Sequence, residues 1–388
     1  MKIIFFAHPT FISHQSMPRF AKMLANGMRA RGHTVEIWAP KPKFFSLSVP
    51  ASLKKWMSYL DQYVVFPNEI KKRLNAISRE TLFVFTDHAL GPWVPLVSDR
   101  PHVIHCHDFL AQMSALDEIP ENKTSSTGKI YQSYIRKGYQ QGRAFISVSK
   151  KTKEDLDRFM PAKPRISEVV YNGVNTSFNP GSIIDARLAL STNFVIGAIN
   201  GYVLHVGGNQ WYKNRLGIIM IYDQWRNFSA SKIPLLLLGE APNNELVTRR
   251  ERSPYKNDIH FLTGLDDAKV RAAYVGATVF LFPSLAEGFG WPIAEAMASG
   301  TLVLTTNEAP MTEVAGDAAF LIGRMPNDKK SIYQWANESA EVLERVVMLS
   351  DEDRAGWINK GLSNVERFDL NQALTHIEGI YKKVLEYN

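Results

Sequence analysis

The chain has 388 residues, 45% of them apolar, with a formal net charge of +7. This length is too great for one compact core and suits two domains of ordinary size. No apolar stretch approaches the roughly 18 residues that a membrane-spanning helix needs, and the N-terminal apolar run is too short for a signal peptide. The single cysteine excludes an internal disulfide. We therefore expect a cytoplasmic protein.

The charge is unevenly distributed along the chain. Residues 1–180 hold 25 Lys and Arg against 14 Asp and Glu, whereas the remainder holds 20 against 24. A basic surface can bind nucleic acid, anionic lipid or an acidic substrate. Because no zinc-finger or aromatic RNA-binding signature accompanies it, we expect no nucleic acid as a partner. The pattern instead favours peripheral contact of the first half with an anionic membrane, on its inner face.

Strand and helix patterns alternate along the chain, which predicts an α/β architecture with parallel sheets. Strands are predicted at residues 3–7, 35–39, 82–86, 102–107 and 145–149, with a strand and turn at 169–174. Further strands are predicted at 202–206 and in the apolar run 279–284, with strand ends and adjacent loops at 234–240 and 259–264. These runs divide into an N-terminal domain at residues 1–180 and a C-terminal domain at 198–369, joined by a linker at about 176–198. A C-terminal helix at about 370–388 is predicted to pack back on the first domain.

The segment 41–66 interleaves aromatic and aliphatic residues with Lys41, Lys43, Lys54 and Lys55. This composition is typical of a segment that lies in a membrane interface. Two other interpretations remain: an insertion whose aromatic residues pack on the N-terminal domain, or one wall of an acceptor groove.

Two histidines lie in the predicted strand 102–107, where His105 and His107 are two residues apart and so share one face. They can be core histidines, a metal pair, or polar groups at the carboxyl end of a parallel strand, where open α/β sheets bind ligands. A metal pair needs further ligands, and Cys106 points to the other face, so metal binding is the weakest of the three.

A glycine-rich turn follows the first strand of the second domain and contains Gly208, Asn209 and Lys213. Such a turn brings backbone donors and one ammonium group to a pyrophosphate. Glycines after a strand also occur simply to reverse the chain, so this signal is weak when it is taken alone.

A more specific pattern comes about 75 residues later, as Glu287-Gly-Phe-Gly-Trp-Pro-Ile-Ala-Glu295, directly after an apolar strand. Its glycines allow close approach of a ligand to the backbone, and Pro292 suits the first turn of a helix whose free N–H groups attract anions. Glu295 lies about one turn into that helix, where its carboxylate can accept two hydroxyl hydrogen bonds from a ribose. Alternatively, Glu287 is a solvated loop acid and Glu295 a first-turn charge.

This pattern resembles the E-x7-E signature of family 4 of the retaining glycosyltransferases, bacterial polysaccharide-assembly type, which have the GT-B fold of two facing Rossmann-like domains with an interdomain cleft. The resemblance implies that the first Glu and the Gly-Phe-Gly backbone contact the donor sugar, and that the second Glu holds the ribose. The implied donor-binding residues are Gly208, Asn209, Lys213, Gly264, Glu287, Gly288, Phe289, Gly290, Trp291 and Glu295. The family often has an arginine where this chain has Asn209, and Arg215 is the candidate substitute or else a solvated helix charge.

The resemblance further implies a metal-independent enzyme that needs no cofactor. It would move a hexose, with retention, from a nucleotide diphosphate sugar to a hydroxyl of a glycan or lipid-linked glycan, and UDP-glucose is the first guess for the donor. His107, Glu287 and Lys213 are the implied catalytic residues, with His107 donating to the sugar from the opposite domain and Asp108 orienting or charging it. The alternatives are a sugar-nucleotide epimerase of the same fold and a non-catalytic partner that binds nucleotide sugars.

Overall fold

The computed structural model describes residues 1–12 and 16–387, with only the backbone described at Ser16, Ile196 and Lys329. The chain forms two compact units. Unit 1 contains Met1–Tyr171 together with the chain from Asn371 onward, and unit 2 contains Asn172–Leu370. None of the helices within the described residues combines the length and apolar character that crossing a membrane requires.

Unit 1 is built on a six-stranded parallel sheet with the order β2-β1-β3-β4-β5-β6. Its strands are β1 Lys2–Phe6, β2 Thr34–Trp38, β3 Leu82–Phe85, β4 His102–Cys106, β5 Ala144–Ser147 and β6 Ile166–Val169. Most of them are apolar runs buried on both faces, as expected for a parallel sheet covered by helices. The helices are α1 Ser16–Ala30, α2 Ala51–Leu60, α3 Phe66–Leu74, α4 Leu110–Ala115, α5 Ser126–Tyr139 and α6 Lys150–Phe159, with a π-helical turn at Asp61–Val65 and a 3₁₀ segment at His88–Leu96.

Unit 2 repeats this plan with the order β12-β11-β10-β7-β8-β9, again all parallel. Its strands are β7 Val203–Gly207, β8 Leu235–Gly239, β9 Ile259–Thr263, β10 Val279–Phe282, β11 Val303–Thr306 and β12 Phe320–Ile322. Its helices are α7 Ile183–Asn193, α8 Arg215–Phe228, α9 Asn244–Glu251, α10 Asp267–Gly276, α11 Trp291–Ala298, α12 Met311–Ala315, α13 Lys329–Val347 and α14 Asp351–Val365, with 3₁₀ turns at Ile196–Asn200, Trp211–Lys213, Lys256–Asp258 and Glu366–Phe368.

The last helix, α15 Leu370–Glu386, belongs to unit 1 apart from its first residue. Its buried side chains include Tyr381, whose hydroxyl is 2.8 Å from Nε2 of His105 on β4. Leu374 of the same helix lies against the backbone of Gly27 in α1, where an added Cβ would be 2.6 Å from the leucine side chain.

The predicted strand at residues 169–174 is wrong, because the strand lies earlier, at Ile166–Val169. Ile166 pairs with Ala144 of β5, whereas Val174 makes only an isolated bridge to Asp369. The prediction was placed too late because Val169–Tyr171 is more apolar than the actual edge strand, which is half-exposed. The predicted linker at 176–198 contains helix α7, and Arg187 of that helix donates to the carbonyl of Gly276.

Each sheet has one point where the strand order reverses direction, and such a point opens a crevice at the carboxyl ends of the strands. In unit 1 the reversal lies between β1 and β3, and in unit 2 between β7 and β10. The loops that follow these four strands are therefore where ligand-binding side chains are expected.

Candidate functional site

The reversal point of unit 2 brings together two of the predicted site residues. Lys213 follows β7, Glu287 follows β10, and Nζ of Lys213 donates to Oε1 of Glu287 at 2.7 Å. Both side chains are nearly buried, with 13% and 8% of their surface exposed. The ammonium also lies 5.1 Å from the ring centre of Phe282 at the end of β10. A cation and a carboxylate are thus held as one unit in the crevice, although they are far apart in the sequence.

Asn214 fixes the position of Lys213, and the sequence analysis missed it. Its backbone is left-handed, with φ of 51°, and its side-chain oxygen caps α8 by accepting from the amide of Gly217 at 3.2 Å. Its amide nitrogen donates to the carbonyl of Pro283, just beyond β10, at 3.0 Å. One buried side chain therefore joins the two loops of the crevice. An asparagine between a turn and a helix is a recognisable cap signal that would have identified it.

The predicted phosphate loop is tied to the end of the neighbouring strand β8. The backbone amide of Asn209 donates to Oε2 of Glu240 at 3.0 Å, and its side chain donates to the carbonyl of Ala241 at 2.6 Å. At the strand ends, Gly239 has a φ of +133° and lies so close to Gly207 that a Cβ would be 2.1 Å from the Gly207 oxygen. Only glycine fits at position 239, because both the backbone conformation and the space exclude a side chain.

Arg215 is not the solvated helix charge that one interpretation of the sequence allowed. Only 4% of it is exposed, and its guanidinium donates to Oδ1 of Asn209 at 2.5 Å and to the carbonyl of Glu240 at 3.0 Å. Burial lowers the pKa of Arg215 to about 10, an effect that Glu240 partly offsets, so the group stays cationic at neutral pH. Its Nε and Nη2 are buried with no hydrogen-bond partner, which is costly for a guanidinium. This arginine supplies a second fixed positive charge beside the phosphate loop.

The glycine-rich loop closes on the start of α11. Gly290 is the N-cap of this helix in a left-handed conformation, with φ of +103°, and has no side chain to cap it. Phe289 is buried with its ring edge-on to Phe368 at 5.4 Å, and the indole of Trp291 donates to the carbonyl of Gly173 at 3.3 Å. The aromatic residues of the motif thus anchor the loop in unit 2.

Glu295 has a protein partner that the sequence did not reveal. The hydroxyl of Tyr274, from α10, donates to Oε2 of Glu295 at 3.0 Å. Burial raises the pKa of Tyr274 well above its ordinary value, and the Glu295 carboxylate adds to this shift. The tyrosine therefore remains a donor, so the carboxylate is oriented before any ligand binds. Gly264, another of the predicted donor-binding residues, lies on an exposed turn after β9. Its φ is +68°, and the space around it is open.

The reversal point of unit 1 holds a second cluster that the sequence analysis missed. His8 follows β1 and Asp87 follows β3, and Nε2 of His8 is 2.9 Å from Oδ2 of Asp87. His88 Nδ1 lies 3.0 Å from the other carboxylate oxygen. Burial would raise the pKa of Asp87, but the two imidazoles outweigh it and hold that pKa well below its ordinary value. The signal available in the sequence was polar residues placed directly after consecutive buried strands.

His107 lies at the end of β4, nearly buried and edge-on to the ring of Phe20 at 4.5 Å. Its Nε2 is 2.9 Å from the carbonyl of Thr86 and must therefore carry the proton. Burial lowers the pKa of His107, and Asp87 and the Thr86 carbonyl offset only part of that shift. A neutral ring with Nε2 engaged leaves Nδ1 as an acceptor, so the expectation that His107 donates to a sugar does not fit this tautomer.

The expected orienting role of Asp108 also does not fit the geometry, although its charge opposes the lowering of the His107 pKa by burial and so fits the other expected role. Its Oδ1 accepts from the amide of Leu110 and so begins α4, while His107 is held by Thr86. His105 is a core residue: it is fully buried against Tyr381, and burial lowers its pKa to about 3. Within residues 1–12 and 16–387, no three His, Cys, Asp or Glu side chains converge as a metal site would require.

Two family models match the chain. "Glycosyltransferase Family 4" matches residues 17–178, and "Glycosyl transferases group 1" matches residues 200–343. The chain belongs to glycosyltransferase family 4. This confirms the resemblance drawn from Glu287 to Gly300, and the family 4 match in unit 1 extends it to the half that carries no such motif.

Among characterised relatives, this family 4 protein is 30% identical over 187 residues to O-antigen chain mannosyltransferase B of Escherichia coli. That match covers 48% of this chain and 46% of the relative, a little under half of either protein. The relative is named for a mannosyl donor and an O-antigen acceptor.

Solved structures confirm the predicted α/β GT-B fold. Sucrose-phosphate synthase from Thermosynechococcus elongatus matches with a TM-score of 0.75 at 16% identity over 100% of both chains. HepE from Anabaena, solved in complex with UDP and glucose, matches with a TM-score of 0.71 at 17% identity, over 99% of this chain and 100% of HepE. At such low identity these matches establish the fold alone.

Proposed function

We propose that this protein transfers a hexose from a nucleotide diphosphate sugar to a hydroxyl of a glycan or lipid-linked glycan in polysaccharide assembly. The observation that carries the proposal is the contact of Lys213 with Glu287 at the reversal point of unit 2, within a protein of family 4. A cation for a diphosphate and a carboxylate for sugar hydroxyls are held side by side there.

The chemistry follows from where charge develops. When the bond between the sugar and the diphosphate breaks, negative charge grows on the leaving group, and a fixed cation in a water-poor crevice stabilises it. Lys213 supplies that cation, and Arg215 lies close behind the same loop. Glu287 would then pass from Lys213 to the sugar hydroxyls when the diphosphate arrives. Nothing in this scheme needs a carboxylate nucleophile, and we propose that the anomeric configuration is retained.

The donor sugar is the part of the proposal that most needs a direct test. UDP-glucose remains our first guess, and the ligands in the HepE structure are of the same kind. The name of the Escherichia coli relative makes a mannose nucleotide the main competitor. The site residues do not separate them, since the exposed turn at Gly264 offers backbone atoms to a base.

A donor and acceptor panel tests the function. The purified protein is incubated with UDP-glucose, GDP-mannose and other nucleotide sugars, with and without lipid and glycan extracts, and products are followed by mass spectrometry and by NMR of the anomeric proton. Acceptor-dependent release of nucleoside diphosphate with retention supports the proposal. Interconversion of the sugar nucleotide would show an epimerase instead, and binding without turnover would show a non-catalytic partner.

We propose that transfer is metal-independent and that Lys213 replaces the cation. Activity should therefore persist in excess EDTA. Loss of turnover in EDTA that manganese or magnesium restores would contradict this part of the proposal. A lipid-linked acceptor would be used at a membrane surface, so we propose a peripheral position on the inner face of the membrane.

A further inference from the structure

One helix of unit 1 shows most of its surface to solvent. The chain runs without interruption from α2 through the π-helical turn into α3. The second half of this run packs into the core of unit 1 through Phe66, Ile70 and Leu74. All ten residues of α2 are described, and only Ser58 among them is buried. The first half therefore projects beyond the part that the core stabilises.

The loop before α2 is fastened to it by charged groups. The carboxylate of Asp61, itself buried, accepts hydrogen bonds from the backbone amides of Lys43, Phe44 and Phe45 at 2.9 to 3.1 Å. The ammonium of Lys54 donates to the carbonyls of Phe45 and Leu47 at 2.8 and 2.9 Å. These contacts hold the loop beside the helix, so its exposed side chains have a defined position.

A tyrosine cluster holds the projecting helix against α5. The hydroxyls of Tyr63 and Tyr131 are 2.6 Å apart, and the ring of Tyr59 stacks on Tyr131 with centres 5.5 Å apart. Burial is the main reason that the pKa of Tyr131 is raised, so its hydroxyl stays protonated. These rings and hydroxyls contact each other and fix the helix, and the ring of Trp56 packs edge-on against Tyr59 with centres 6.0 Å apart.

The side of the helix that faces away from the buried Ser58 is apolar and exposed. Leu53, Trp56, Leu60 and Val64 recur every three or four residues and so form one stripe along the helix. Trp56 is 58% exposed and Val64 is 51% exposed. Phe44 and Leu47 of the fastened loop are exposed in the same way. A rigid apolar surface of this extent on a folded unit is typical of an interaction site.

The charges around this surface decide which partner fits. Residues 41–60 contain four lysines and no acidic residue. Two copies of the chain that met through this face would bring like charges together, which opposes self-association. A sugar would need hydroxyl or amide partners, whereas the stripe offers Leu, Val and Trp. Nζ of Lys43 pairs with Glu69 at 2.7 Å, but the other three lysines leave the segment positively charged. An apolar stripe on a positively charged segment matches the apolar interior and negative surface of an anionic bilayer.

We propose that Phe44, Leu47, Leu53, Trp56, Leu60 and Val64 form a docking surface that inserts into the interface of an anionic lipid bilayer. The inference goes beyond the transfer reaction, because it would hold whichever sugar is transferred. It attributes the proposed membrane contact to these six side chains and not to the overall basic charge of residues 1–180.

Vesicle flotation of the full chain tests the docking surface. Vesicles of phosphatidylcholine alone are compared with vesicles that also contain phosphatidylglycerol, at low and high salt. Trp56→Glu with Leu60→Glu should lower binding to the anionic vesicles at least about ten-fold, because two inserted side chains become charged. The matched control is Ile184→Glu with Leu188→Glu on α7, an exposed pair with the same spacing and charge change. It should float like the unchanged protein.

Several results would overturn the inference. One is that the unchanged protein does not float with anionic vesicles, and another is that the Trp56 and Leu60 variant floats as well as the control. A change only in oligomeric state would instead show an interface between copies, and a raised acceptor KM with normal flotation would show an acceptor groove. Nucleoside diphosphate affinity is measured on the same samples. If the unchanged protein does not float while its nucleotide affinity is normal, the docking proposal fails and the transferase proposal stands. If flotation is normal but there is no turnover, the docking proposal stands and the transferase proposal fails.

Discussion

The two reversal points of this molecule have the same topology but are lined by different kinds of side chain. In each unit, two side chains from loops after non-adjacent strands meet: Lys213 with Glu287 in unit 2, and His8 with Asp87 in unit 1. Unit 2 adds glycines and the buried cation Arg215, whereas unit 1 adds the imidazoles of His88 and His107. Cations and glycine backbone suit a diphosphate, and imidazoles beside a carboxylate suit hydroxyl groups.

This difference shows that a parallel sheet determines where a site forms, while the loop residues determine what it binds. The comparison predicts a division of labour, in which unit 2 binds the donor nucleotide and unit 1 contributes to turnover and to acceptor binding. Variants on each side can test that division.

The largest effect is expected at Lys213. Replacing Lys213 with Met removes the charge that stabilises the leaving diphosphate, so kcat should fall about 10² to 10³-fold. Lys213→Arg keeps the charge and is the control, expected to retain more activity. Steady-state kinetics with the donor found in the panel measure the effect. A Met variant as active as the Arg variant would remove Lys213 from the mechanism.

His107→Ala should lower turnover about 100-fold, because it removes the Nδ1 that can accept a hydrogen bond from the sugar, and should leave the affinity for nucleoside diphosphate unchanged. The affinity should hold because the residue lies in unit 1, outside the nucleotide contacts proposed for unit 2. Calorimetry and kinetics on the same preparation separate the two quantities. Normal turnover would exclude His107 from the site, and an equal loss of folding stability would show a core histidine.

Glu295→Gln should weaken nucleoside diphosphate binding by about 1.5–3 kcal/mol, because it loses the charge and one acceptor for ribose hydroxyls. Tyr274→Phe is the matched control, since it removes the hydroxyl that orients Oε2 but keeps the carboxylate. Its effect should be smaller, about 0.5–1.5 kcal/mol. Calorimetric titration decides between the roles: unchanged affinity in the Gln variant would mean that Glu295 is only a charge near the start of α11.

At the other reversal point, His8→Ala should raise the acceptor KM about ten-fold, because it removes one hydrogen bond to an acceptor hydroxyl. Nucleoside diphosphate affinity should not change. Acceptor titration at saturating donor provides the measurement. A change in donor affinity without a change in acceptor KM would break the proposed division between the two units.

The last prediction concerns folding stability and two buried histidines, one in each unit. Burial lowers the pKa of both His105 and His205 to about 3, whereas an unfolded histidine titrates near 6.5. The unfolded chain therefore takes up protons first as the pH falls. The contribution of these two histidines to the free energy of unfolding should therefore be fully present above about pH 6.5. It should decrease toward pH 3, by up to about 1.4 kcal/mol per pH unit for each histidine.

Urea unfolding at several pH values measures this dependence. The amide of Gln in His105→Gln can still contact the Tyr381 hydroxyl. This substitution should remove the contribution of one proton from the slope of the free energy of unfolding against pH. His376, which is exposed, provides the control substitution. An unchanged slope in the His105 variant would show that its imidazole is protonated in the folded protein.

Much of unit 2 could be predicted from the sequence, because its signals are local. The glycine turn with Lys213 and the loop from Glu287 to Glu295 each lie within one strand, turn and helix, so spacing alone indicated their position. The alternation of apolar runs likewise predicted the parallel sheets. The strand at residues 166–169 was misplaced because a half-exposed edge strand carries a weaker apolar pattern than the segment that follows it.

The sequence by itself determined the fold class, the family and the position of the loops that carry the predicted donor residues, since each depends on residues that are neighbours along the chain. Only the tertiary structure decided the partners: Glu287 for Lys213, Tyr274 for Glu295, Asp87 for His8 and Thr86 for His107. It also decided that Arg215 is buried and that the stripe from Leu53 to Val64 is exposed. The physical reason is that strand order and helix packing bring distant residues together, and a periodic apolar pattern specifies which face is buried but not which element covers it.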